Sequence, residues 1–176
     1  MEVLTFPKSF DENEIFVLFV ACGLILLSLI LPKRFPIQLF ILLFLINSVI
    51  GRTVDTTLAT HPLDIYSSFD DNTHEVFDEI TYSIVYSFYG YLFYYAYDKY
   101  YKLHSWFHVV IWAVSSTIFE WISIHFGVFH YHHWHILYSV VVYLLVYTFH
   151  IFFFKWASKQ LHYTSERIQQ VEKGNK

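Results

Sequence analysis

The chain has 176 residues, 56% of them hydrophobic, 22% aromatic and only 15% charged, with a mean hydropathy of +0.41. Soluble domains of this length carry about 25% charged residues, so the balance excludes a disordered chain, a coiled coil, a collagen-like fibre and a basic nucleic-acid binder. The single cysteine, Cys22, excludes an internal disulfide framework and any CxxC redox or zinc-ribbon motif, while the net charge of −4 leaves eleven histidines to titrate near pH 6.

A helix that crosses a bilayer needs roughly 17–25 mostly apolar residues. Five segments of that kind follow one another, at about 15–31, 37–58, 80–97, 107–129 and 136–156. The first, IFVLFVACGLILLSLIL, is uncharged; the acidic residues before it and the lack of an A-x-A site after it argue against a cleaved signal peptide. The second is apolar to Ile50 and continues through Gly51, Arg52 and Asp55; the third carries seven tyrosines. The fourth has one charge, Glu120. Runs such as LILLSLIL do not alternate as a membrane barrel strand would. The expected fold is therefore all-α: a polytopic bundle forming one integral membrane domain over 1–176, with 157–176 as a tail.

Basic residues set the orientation. Lys33, Arg34, Lys99, Lys102, Lys155, Lys159, Arg167, Lys173 and Lys176 fall after the first, third and fifth segments, whereas Lys8 and Arg52 are the two on the other side. Five alternating spans then place the N-terminus outside and the C-terminus in the cytoplasm of a bacterial plasma membrane. The outer side takes eleven of the fifteen acids and should favour cations.

Several polar residues carry the candidate chemistry. Glu120 lies mid-span, where a charge costs roughly 2.5–3.5 kcal/mol, and it shares a helical stripe with Ser116, Ser123 and Gly127 that should face the bundle. It suits a general base, a proton carrier or a metal ligand; its structural alternative is pairing with Arg52 or a tyrosine hydroxyl. The outer turn FHYHHWHI holds His130, His132, His133 and His135, one turn past His125, and these imidazoles suit a divalent metal such as zinc or an interfacial aromatic belt. Before the third segment, Asn72 and Glu75 read as a capping box, which would set His74 and Asp78 on one helix face with Asp71 a turn earlier, completing a metal set or forming an acidic helix start. Arg52 and Asp55 are spaced for an ion pair. His108, His125, His135 and His150 outline a bis-histidine haem arrangement, but the seventeen-position separation of the first two turns them to different faces.

The run SSTIFEWISIHFGVFHYHHWHILYSVVVYLLVYTFHIFFFKW, with Thr117, Glu120, His133, Trp134 and His135, resembles the C-terminal half of a family of small uncharacterised multi-pass membrane proteins of Gram-positive spore-forming bacteria. The resemblance implies about five spans and carries no established activity. Four readings follow: a polar, cation-binding site around Glu120 and the His130–His135 cluster; a proton- or ion-coupled carrier using Tyr86, Glu120 and His150; a metal-dependent membrane hydrolase with Glu120 as base; and a structural subunit that binds a membrane-protein partner or a second copy within the lipid bilayer.

Overall fold

A computed structural model of the chain describes residues 5–59, 62–70, 75–100 and 103–163. Helix α1 (Glu12–Ile30) starts because Asp11 caps it and Glu14, three residues on, returns a hydrogen bond to the Asp11 backbone. It stops before Pro32. Helix α2 (Ile37–Ala59) begins directly after Pro36. Strand β1 (Tyr66–Ser68) precedes a continuous helical run made of α3 (Val76–Ile80), a π-helical segment (Thr81–Tyr86) and α4 (Ser87–Lys99). Helix α5 (Ser105–His125), strand β2 (Phe129–Tyr131) and helix α6 (Ile136–Gln160) complete the order.

Four helices, α1, α2, α5 and α6, are long and apolar enough to cross a membrane. Their outward faces are greasy: Phe19 and Leu29 on α1, Ile41 and Leu45 on α2, Ile111 and Ile118 on α5, and Leu145 and Phe152 on α6 are all exposed. A water-soluble helix would set polar residues there. The α3–α4 run differs in kind. Tyr91, Leu92, Phe93, Tyr94, Tyr95 and Tyr97 are all buried, so this helix is packed by protein on nearly every side. Its tyrosines lower its hydropathy without exposing it. Two glycines admit neighbouring side chains: a Cβ on Gly90 would overlap the Asn47 amide, and one on Gly51 would overlap the Tyr86 ring. Small residues of this kind let membrane helices approach closely.

The elements sort into two ends. At one end Thr5 bridges Glu75, β1 pairs antiparallel with β2, and Asn13 reaches Asp70. At the other, Arg34 from the α1–α2 turn pairs with Asp98 of α4 at 2.5 Å, and Tyr163 beyond α6 donates to the same carboxylate at 3.2 Å. The start of α1, the β1–β2 ribbon and the start of α3 thus meet at one end, and the α1–α2 turn, the end of α4 and the residue after α6 at the other.

Several boundaries differ from expectation. The helix expected to open at Asn72, which lies outside the described residues, opens at Glu75, whose capping partner is Asp78. The fourth segment ends at His125 rather than 129, because Gly127 adopts φ +70° and turns the chain into β2. Helicity of the last segment reaches Gln160; the tail from 164 onward lies outside the described residues. A short two-stranded ribbon joins an otherwise helical molecule.

Candidate functional site

The β1–β2 ribbon places Tyr66 directly opposite Tyr131. Direct partners on antiparallel strands project from the same face, and the two rings stand 6.5 Å apart. Each phenol reaches a different carboxylate. Tyr66 donates to Asp55 Oδ1 at 2.6 Å, and Tyr86 donates to Asp55 Oδ2 at 3.1 Å. Tyr131 donates to Glu120 Oε1, and Ser139 donates to the same oxygen at 2.6 Å. Trp134 holds that serine by donating Nε1–H to its Oγ at 2.8 Å. Burial, reinforced by Asp55, pushes the Tyr66 phenol up, and burial reinforced by Glu120 does the same for Tyr131. Both stay protonated donors at neutral pH.

Beneath the ribbon lies a cavity of about 190 Å³ whose wall includes both carboxylates. The sides are mainly apolar and aromatic, from Phe16 and Val20 on α1 through Val54 and Tyr86 to Tyr143 and Tyr147 on α6. The π-helical segment contributes here, because Thr81, Val85 and Tyr86 all line the space. Of the expected stripe, Ser116, Glu120 and Ser123 line the cavity, whereas Gly127 lies past the end of α5; Ser116 also bonds the Tyr147 hydroxyl at 2.6 Å. His150 marks its deep end; past it the space is filled by Phe154, Tyr94 and Tyr97, all essentially inaccessible.

Neither carboxylate is ion-paired among the described residues. Arg52, expected beside Asp55, instead pairs with Glu79 and lies over the Tyr82 ring at 5.7 Å. Of the two alternatives for Glu120, Arg52 or a tyrosine hydroxyl, the structure uses the hydroxyl.

The histidine cluster does not converge on Glu120. His125 is exposed and donates to its own helix at Trp121 O, 3.0 Å away. His130 and His133 are exposed, His132 lies 3.1 Å from Ser67 Oγ, and His135 caps α6 by accepting from Leu137 N at 3.3 Å. Asp78 accepts from Ser68 Oγ at 2.6 Å and from Glu75 N at 2.8 Å, tying β1 to the start of α3. His74 and Asp71 lie outside the described residues. Among the described residues, the group of three acidic, histidine or cysteine ligands whose donor atoms come within 4.8 Å of one another is Asp11, Glu14 and Asp70, none of which the sequence motifs single out as ligands. His108 donates to Phe93 O at 3.2 Å and His150 bonds the Tyr94 hydroxyl at 2.5 Å, so both imidazoles serve the protein core rather than a shared haem.

Sequence reasoning missed Asp55 as a cavity wall and Tyr66, Tyr131 and Ser139 as its donors. The available signal was Asp55 itself, an acid inside a helix long enough to span. Compared with protein-family models, with curated proteins and with solved structures, the chain matches none of them.

Proposed function

We propose that this is a five-span protein of a bacterial plasma membrane, N-terminus outside and C-terminus in the cytoplasm, and that its outer-half cavity binds a small organic cation on Asp55 and Glu120. The α3–α4 run supplies the fifth span: its 24 residues would extend about 36 Å at 1.5 Å per residue, enough for the hydrocarbon core. The observation that carries the binding reading is that two acids from different helices face one largely apolar space and are held by neutral hydroxyls, with no lysine or arginine against them among the described residues. Neutral donors orient a carboxylate without cancelling its charge. A ligand that brings a positive charge on an apolar body satisfies both kinds of wall, and the surrounding Tyr and Trp faces add cation–π attraction of about 0.5–2 kcal/mol. The cavity of about 190 Å³ has room for a small ligand such as an alkylammonium head. The aromatic layer below His150 favours a closed binding site over a path across the bilayer.

Calorimetric titration of the purified chain in lipid nanodiscs tests this. Choline should bind the wild type, and its neutral analogue with carbon in place of nitrogen should not. Asp55→Asn and Glu120→Gln should each weaken choline at least tenfold, about 1.4 kcal/mol. Equal binding of choline and its neutral analogue, or unchanged affinity in both variants, would sink the reading. A reporter fused to the C-terminus should read cytoplasmic in whole cells; an external signal would remove the topology.

A further inference from the structure

Away from the cavity, the N-terminus of α1 and the segment after β1 bring three acids together. We propose that Asp11, Glu14 and Asp70 form a site for a hard divalent cation of the calcium class, which fastens the cap of α1 to the chain below the ribbon. One oxygen from each lies within 4.8 Å of the others. Oxygens bonded across a calcium ion at 2.3–2.6 Å stand about 4.6–5.2 Å apart, so the spacing is that of ligands sharing one ion.

The second observation is the state of the buried oxygens. Glu14 is 0% exposed; its Oε2 accepts from Asp11 N at 2.9 Å, while its Oε1 is buried with no hydrogen-bond partner among the described residues. Asp70 repeats the pattern: Oδ1 accepts from Asn13 Nδ2 at 3.4 Å, and Oδ2 is buried and unpartnered. Asp11 accepts from Ser9 Oγ at 2.8 Å and from Asn13 N at 3.4 Å. Each carboxylate is thus oriented by hydrogen bonds, and two of them keep a bare oxygen out of water. A buried acceptor without a partner is costly, and three acids this close repel one another. A cation removes both penalties.

The donor set selects the ion class. All three ligands are carboxylate oxygens, the preference of calcium and magnesium rather than of zinc or copper, which favour imidazole and thiolate. Asp11 is exposed, which leaves a route in and room for bound waters to complete the shell. Phe69, beside Asp70, packs with Val17 of α1, Phe77 and Val128, so an ion here would couple α1 to the base of the ribbon.

The experiment uses the full chain in nanodiscs, stripped with chelator and titrated with calcium, magnesium or zinc chloride. Calcium or magnesium should bind at one ion per chain and raise the unfolding midpoint by several degrees at saturation. Glu14→Gln keeps the capping pattern and should weaken the ion at least tenfold, while raising the metal-free midpoint because a neutral amide replaces a bare carboxylate. Asp70→Asn, outside the helix, should weaken it equally. Asp55→Asn should leave ion binding intact, which separates this site from the choline cavity. Absence of a bound ion at millimolar calcium and magnesium, selective binding of zinc, or undiminished affinity in Asp70→Asn would overturn the proposal.

Discussion

The protein encloses carboxylates in two ways. At the basic pole Asp98 is fully buried, pairs with Arg34 at 2.5 Å and accepts from Tyr163 at 3.2 Å. The packing around it is continuous, with Phe35, Tyr94 and Phe154 filling the neighbouring space. At the opposite pole Asp55 and Glu120 receive only hydroxyls and look into a cavity. A carboxylate matched with a guanidinium is electrically complete and works as a fastener. A carboxylate matched with phenols keeps its charge uncancelled and, on the proposed reading, meets its ligand across the cavity. The same residue type thus has opposite roles in the two halves, decided by what its neighbours donate.

The largest effect should come from breaking the fastener. Asp98→Ala removes the carboxylate partner of Arg34 from a buried setting and should cost about 3–5 kcal/mol, the usual penalty for removing half of a buried pair. Glu120→Gln, which preserves shape and most hydrogen bonding, should cost less than about 1 kcal/mol by the same unfolding assay. Similar losses in the two variants would erase the distinction between the poles.

Next come the ribbon tyrosines. Tyr131→Phe deletes a neutral donor to Glu120 but leaves Ser139 in place, and Tyr66→Phe deletes one of the two donors to Asp55. Hydrogen bonds to charged groups are worth about 1.5–3 kcal/mol, so each variant should lose about 1–2 kcal/mol of stability with a donor remaining. Choline affinity should hold or tighten, since a carboxylate with fewer donors competes less for its ligand. Loss of choline binding in parallel with stability would mean that the phenols contact the ligand themselves.

How much of this was legible follows from which signals are local. The long apolar helices were readable because hydropathy depends only on nearby residues. Glu120 was readable for the same reason: a charge in an apolar run announces itself. Its partners were not, because Tyr131 approaches it through a ribbon whose other strand lies some sixty residues earlier and Ser139 approaches it from α6. Composition alone did not place the tyrosine-rich third segment; its rings are buried, which makes it the most enclosed long helix among the described residues. Asp55 and Arg52 matched an ion-pair spacing, yet long-range contacts to Tyr66 and Glu79 separated them.

The smallest effect should fall on the residues that looked most informative in sequence. Clustering of histidines in a short turn suggested shared ligation, but each imidazole in the structure has its own local setting. His133 is exposed, and its backbone N–H donates to Ile65 O at 3.0 Å. His133→Ala should therefore change stability by no more than about 0.5 kcal/mol and leave choline affinity within twofold. His135 is different only because it caps α6, accepting from Leu137 N at 3.3 Å. Removing that cap should cost about 0.5–2 kcal/mol, a loss of helix stability with no change in ligand binding. A zinc ion held jointly by the turn would make both variants lose metal and stability together, so unequal losses in these two neighbours distinguish a helix cap from a metal centre.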